Sequence, residues 1–286
     1  MDFSFFAGHD SFYLREGWLP KGLTAVAIHK DIFAGNNLTN AIDTLGIGAN
    51  MVKSLRYWLE LCGVIKKCKK GSSVFILTDF GKLISVHDPF CLNKSTIWLL
   101  HYYTCQKSPI WEMMFSEEDM SSFDREKALL RVYARVKEEG GSYAKTTIDS
   151  SVGVFLNTYL WSLKKQKADP EDNLNSPFAN LRLLLKTGDK YNFRQLNTKE
   201  IPALLIYLII FNSSKGRVDN IHLEQAFEAV RGIVKIDLNG LRNALRELEH
   251  EKLINVDRAA GLNIITDKAC LSSEDIERNI IVGGSA

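Results

Sequence analysis

The stretch LTNAIDTLGIGANMVKSLRYWLELCGVIKKCKKGSSVFILTDFGKL, Leu38 to Leu83, decides the fold. Two helical patterns separated by Gly46-Ile47-Gly48 run into a short basic hairpin, which is the order of a winged helix-turn-helix. In the second helix Ile47, Met51, Val52, Leu55, Trp58, Leu59 and Cys62 recur at spacings of three and four, an apolar stripe that can pack against a core. Taking Leu55 as inward and about 100° per residue, Asn50, Lys53 and Tyr57 point outward, with Ser54 and Arg56 on the flanks. Beyond Gly63, Val64 to Lys67 and Val74 to Leu77 read as two strands. The turn Cys68-Lys69-Lys70-Gly71-Ser72-Ser73 joins them into a wing.

Charge follows the same stretch. Gly46 to Lys82 carries seven Lys/Arg (Lys53, Arg56, Lys66, Lys67, Lys69, Lys70, Lys82) against Glu60 and Asp79, a net +5, whereas the whole chain is only +2. A recognition helix and wing use such charge to meet phosphates while one or two side chains touch base edges. The expected DNA-contacting set is Asn50, Lys53, Ser54, Arg56, Tyr57, Lys66, Lys67, Lys69 and Lys70. Winged helices also mediate protein contacts, and a lysine-rich turn is compatible with a plain solvated loop.

The remaining composition bounds the answer. A chain of 286 residues, 45% hydrophobic, can bury a sizeable core and holds two or three modules. The longest apolar run, Ile201 to Phe211, contains Pro202 and Tyr207 and is too short to span a bilayer. The opening Met1-Asp2-Phe3-Ser4-Phe5-Phe6 lacks the basic and long apolar regions of a secretory signal, so a cytoplasmic protein is expected. Five cysteines form no Cys-x-x-Cys pair and no zinc-finger spacing, and read as reduced thiols. Near-neutral overall charge favours one localised binding face over a generally basic surface.

The expected fold is mainly α with small β-hairpin wings, in three parts: a winged helix-turn-helix over 1–87, a helical middle over 88–196 and a second winged-helix-like unit over 197–286. In the first, a helix opens at Pro20 and Asn36 or Asn37 caps the helix Leu38 to Leu45. The middle carries helical spacing over Ser95 to Thr104, Asp124 to Glu138, Thr146 to Lys164 and Phe178 to Leu185. The polar run Lys164 to Asn173, with Pro170, reads as a mobile exposed loop. In the third part Leu238 to Glu251 places Leu238, Leu241, Leu245 and Leu248 inward, and strands Leu253 to Val256 and Leu262 to Ile265 flank a turn at Asp257 to Gly261. Thr198 to Lys268 holds ten Lys/Arg and ten Asp/Glu, so this copy is expected to face a partner chain, a second copy included, in preference to phosphate.

The N-terminal Phe5-Phe6-Ala7-Gly8-His9-Asp10-Ser11-Phe12, then Leu14-Arg15, Gly17-Trp18-Leu19 and Lys21-Gly22-Leu23, resembles the opening signature of a bacterial domain-of-unknown-function family encoded in DNA-phosphorothioation gene clusters. The likeness continues through the winged helix, Asp149 with Val154-Phe155-Leu156 and Tyr159, and Glu171-Asp172-Asn173-Leu174-Asn175-Ser176-Pro177-Phe178. Ala7 stands where Ser is common in the family and Asp10 where Glu is common. Members resemble the B component of the single-strand-type sulfur-modification systems. The resemblance implies DNA nicking, alongside a cysteine desulfurase, an ATPase and an ATP-pyrophosphatase-like protein; it brings no catalytic residues with it.

A nickase must orient a nucleophile at phosphorus and stabilise the added charge, usually with carboxylate-held Mg²⁺ or with His, Lys or Arg. His9, Asp10, Asp149 and Asp172 are the candidates, beside Asp169 and Glu171. Against each stands a structural role: a helix cap or solvated charge for Asp149 and Asp172, and backbone bonding of the N-terminal segment for His9. No HExxH, P-loop or GxSxG occurs. Trp98, His101, Tyr102, Tyr103 and Trp111 suit either base stacking or, at their helical spacing, core packing. Arg15 and Lys21, beside Trp18, either extend the basic face or pair locally. The expected function is DNA recognition and strand nicking for phosphorothioate modification. A non-catalytic DNA-binding adaptor and a winged-helix transcriptional regulator are the alternatives.

Overall fold

A computed structural model describes residues 2–116, 122–161, 174–213, 216–259 and 263–283. Helix α1 (Trp18–Ile28) begins two residues before Pro20, which therefore sits in the first turn, where a missing N–H costs nothing. Gly22 on α1 makes room for Leu59: a Cβ there would lie 2.4 Å from a Leu59 methyl, so α1 can press directly onto α3 (Ala49–Leu61). Between them α2 (Leu38–Leu45) buries Ala41 and Leu45 and ends at Gly46, whose φ of +63° breaks the helix. Asn37 holds the N-cap position of α2, but its amide goes to the Asp31 carbonyl at 3.2 Å instead of capping.

Strands β1 (Ile65–Lys67) and β2 (Phe75–Leu77) pair antiparallel with Ile65 opposite Leu77 and Lys67 opposite Phe75. The Phe75 amide also donates to the Lys30 carbonyl at 2.8 Å, tying the hairpin to the end of α1. Helix α4 (Asp79–His87) is capped by the Thr78 hydroxyl, which accepts from the Gly81 amide at 2.9 Å and donates to the Gly63 carbonyl at 2.7 Å. Gly81 is obligatory here, since a Cβ would fall 2.0 Å from the Val64 carbonyl oxygen.

The middle of the chain packs α5 (Lys94–Lys107), α6 (Pro109–Ser116), α7 (Arg125–Glu138) and α8 (Lys145–Tyr159) around a three-stranded antiparallel sheet. Its order is β3 (Ser122–Phe123), β5 (Lys190–Phe193), β4 (Leu184–Thr187). The helix expected over Phe178 to Leu185 is not formed. A 3₁₀ turn, Pro177–Leu181, stops at Arg182 with φ +51°, and the hairpin closes on Gly188-Asp189 with Gly188 at φ +58°. Such a two-residue turn needs positive φ and fixes strands on either side of it. Helix α8 ends at Tyr159, short of the expected Lys164, and the expected loop Lys164 to Asn173 lies outside the described residues.

Tyr159 anchors this region. Trp111 Nε1–H donates to its hydroxyl at 2.8 Å, the hydroxyl bonds His101 Nδ1 at 2.6 Å, and His101 Nε2 bonds the Ile233 carbonyl at 2.9 Å. A carbonyl only accepts, so Nε2 carries the proton and the Tyr159 hydroxyl donates to Nδ1. Burial pulls the His101 pKa down to about 4. Trp98, His101, Tyr102 and Trp111 are all buried, which excludes them as a stacking surface.

Helix α9 (Ala203–Phe211) is apolar all round and buried from Leu205 to Phe211, as a central helix must be. Short strands β6 (Asn212–Ser213) and β7 (Gly216–Arg217) pair next. Strand β8 (Asn220–His222) leads into α10 (Leu223–Arg231) and α11 (Leu238–His250), followed by β9 (Ile254–Asp257) and β10 (Ile264–Asp267). The sheet order is β8-β10-β9, so β8 adds a third strand to the expected hairpin. Helix α12 (Ser273–Gly283) returns to pack on α4, α5 and α9. Apolar packing is continuous from Phe6 to Ile281. Among the described residues no helix is long and apolar enough to cross a membrane.

Candidate nucleic-acid interface

Lys66, Lys67, Lys69 and Lys70 are all exposed on the β1–β2 hairpin. The hairpin tip is a tight turn in which the Ser72 amide donates to the Lys69 carbonyl at 3.0 Å, with Gly71 at φ +79° in the position that requires it. Two lysines therefore ride on the turn and two on β1. On α3, Asn50 and Lys53 are exposed and Arg56 is half-buried. Glu60, one turn further on, is partly buried; burial raises its pKa while Arg56, Lys67 and Lys107 work to lower it. The surface thus joins a helix stripe to a lysine-bearing hairpin with one acid among the cations.

Two of the expected contact residues are elsewhere. Tyr57 and Ser54 are buried, because the N-terminal segment lies across their side of α3. The Tyr57 hydroxyl donates to the Phe5 carbonyl at 2.9 Å, Trp58 Nε1–H donates to the Phe12 carbonyl at 3.1 Å, and the Ser54 hydroxyl reaches the same carbonyl at 3.5 Å. The exposed stripe is accordingly rotated toward Lys53 and Arg56. Arg15 is buried as well, its guanidinium stacked on Phe12 at 5.3 Å and Trp18 at 5.5 Å, so it does not extend the basic face. Lys21 is exposed.

The same segment holds His9 between α3 and α8. Ser11 N–H donates to Nδ1 at 3.1 Å, Nε2 bonds the Ser151 hydroxyl at 3.1 Å, and that hydroxyl donates to the Phe6 carbonyl at 3.0 Å. Both ring nitrogens are engaged, with Nδ1 the acceptor and Nε2–H the donor. Burial lowers the pKa to about 4, and the nearby Asp10 offsets only part of this. His9 is therefore neutral at pH 7. Asp10 is exposed in the left-handed turn Gly8 to Ser11. Asp149 is bound to Arg125 at 2.9 Å, and Asp172 lies outside the described residues, as do Asp169 and Glu171. The Ser11 hydroxyl bonds the Ser150 hydroxyl at 2.7 Å, so the turn that carries His9 and Asp10 lies against the part of α8 that follows Asp149.

The model of one protein family, described as a protein of unknown function (DUF4007), matches residues 6–279. The chain belongs to the DUF4007 family. Two solved structures share the fold of this DUF4007 protein. A magnesium ion-bound SspB crystal structure matches with a TM-score of 0.79 and 20% identity over 93% of this chain and 86% of that one. A second SspB crystal structure matches at 0.77 and 20% over 98% and 86%. No curated protein sequence matches. Among the described residues of the DUF4007 chain no three His, Cys, Asp or Glu side chains gather, and Asp149 is committed to Arg125.

Sequence reasoning missed the covering of Tyr57 and Ser54. The available signal was the phenylalanine-rich opening, Phe3, Phe5, Phe6 and Phe12, which must bury itself somewhere; Phe6 stacks on Tyr143 with centroids 4.1 Å apart.

Proposed function

We propose that this protein is an SspB-like DNA-recognition component of a DNA phosphorothioate modification system. In this reading α2, α3 and the β1–β2 hairpin act as a winged helix, α3 enters the major groove and the hairpin lysines hold phosphates. The observation that carries it is the exposure of Lys53 on the helix and of Lys66, Lys67, Lys69 and Lys70 on the hairpin that follows it. Nicking of one strand for sulfur insertion is proposed from the family and fold, with a cysteine desulfurase, an ATPase and an ATP-pyrophosphatase-like protein as partners. Purified protein should shift linear duplex in a salt-dependent way and convert supercoiled plasmid to open circles in Mg²⁺, with EDTA as the control. Failure to shift duplex at low salt removes the DNA reading; binding without open circles removes nicking alone.

A second reading, a non-catalytic adaptor, is favoured by a groove of about 880 Å³ between the start of α5, α11 and α12. Lys94 and Lys199 stand there with Glu247 and Glu251, a mixed-charge lining suited to a protein surface. Retention of the desulfurase or ATPase on immobilised protein, abolished by charge reversal at Glu247 and Glu251, would support it.

A further inference from the structure

A cavity of about 200 Å³ opens between residues 32–38 and α3. Ile32, Phe33, Leu38 and Val52 form an apolar wall, and its charged members are two cations, Lys53 and Arg56. The space far exceeds what one water needs and falls below the roughly 300–1,000 Å³ of sites for drug-sized ligands. It suits a single ring system. Arg56 Nε–H is buried without a hydrogen-bond partner, and a buried donor is costly until an acceptor reaches it. Lys53 is exposed, so the mouth lies on the outward stripe of α3. An apolar slot rimmed by cations complements an aromatic ring joined to an anion, which is the chemistry of one nucleotide.

We propose that this cavity receives one nucleobase swung out of the duplex bound to this face, its neighbouring phosphate accepted by Arg56 and Lys53. The inference rests on the DNA-binding reading above. Proteins that act on one nucleotide remove its base from the stack into a pocket with apolar or aromatic walls. The cavity would thereby select one position of one strand, which groove contacts to both strands do not do by themselves.

Duplexes taken from a footprinted site, with 2-aminopurine at successive positions, test this: emission reports unstacking, and the anisotropy of an end label reports binding independently. Brightening of about threefold or more is expected at one position on saturation. It should vanish in Leu38→Trp and Gly35→Leu at protein concentrations where the anisotropy shows each variant's binding to be saturated. Leu38 is half-buried, and a Cβ on Gly35 meets nothing within 4 Å, so both variants are expected to fold. Saturated binding with no brightening at any position overturns the proposal, as does brightening that persists in both variants. Anisotropy that never rises overturns the DNA reading itself, and the two failures are thus told apart.

Discussion

At the scale of single residues, hydrogen-bond roles decide what His9 and Tyr57 can do. His9 spends both nitrogens on Ser11 and Ser151, so protonating it at Nδ1 would set an N–H against the Ser11 N–H. His9→Gln can keep a donor toward Ser151 but loses the acceptor for Ser11. A destabilisation of about 1–2 kcal/mol is expected, read as a lower melting temperature, with any nicking rate per folded molecule unchanged. A tenfold or larger loss of rate in folded protein would instead give His9 a chemical role. Tyr57→Phe removes one hydrogen bond to the Phe5 carbonyl while keeping the ring. It should cost about 1 kcal/mol in urea unfolding and leave duplex affinity unaltered; weakened DNA binding at full folding would return Tyr57 to the interface.

At the scale of elements, α3 and the hairpin divide the electrostatic work. Removing one cation that neutralises a phosphate should flatten the slope of log K against log salt by about 0.9. Lys53→Ala with Arg56→Ala should therefore reduce the slope by up to about 2, and alanine at Lys66, Lys67, Lys69 and Lys70 by up to about 4. A slope that matches wild type in both variants would move the DNA to another surface. These elements were legible because their signals are local: the three-and-four apolar spacing of α3, the lysine turn closed by Gly71 and the sharp stop at Gly46. The strands β4 and β5 carried a local signal too, Gly188-Asp189, but Leu183, Leu184 and Leu185 beside Phe178 and Leu181 imitate helical spacing. The rotation of the exposed stripe was not local. A helix wheel orders Lys53, Arg56 and Tyr57 around an axis, but which arc stays open depends on the segment 3–15, which lies some 50 residues earlier in the chain. Asp237 caps α11, its carboxylate accepting from the Gly240 amide at 2.6 Å.

At the scale of the whole molecule, buried titratable groups set how stability follows pH. His9 and His101 each have a pKa of about 4 against an ordinary 6.5, both through burial. Between those values the unfolded chain binds two protons that the native one refuses, so stability rises with pH there and is lost as pH falls from 6.5 toward 4. Glu277 acts in the opposite sense. Burial on α12 lifts its pKa to about 7 from 4.5, with Glu274 and Asp79 adding to the rise and the hydrogen bond from Tyr103 opposing it. The native state therefore keeps a proton the unfolded state releases, and stability falls as pH rises from 4.5 to 7. Two histidines against one carboxylate leave a net gain of about 1.4 kcal/mol per pH unit over the shared window. Glu277→Gln keeps a carbonyl oxygen for the Tyr103 hydroxyl and removes the charge. The variant should steepen the rise between pH 4.5 and 6.5 and, at pH 8, exceed wild type by an amount on the order of 2 kcal/mol. Because α12 packs on α4, α5 and α9, that gain should appear as a higher melting temperature of the main transition. Thermal melts at pH 5, 6, 7 and 8 check it, and coincident melting of variant and wild type at pH 8 would show that Glu277 ionises in the native protein without cost.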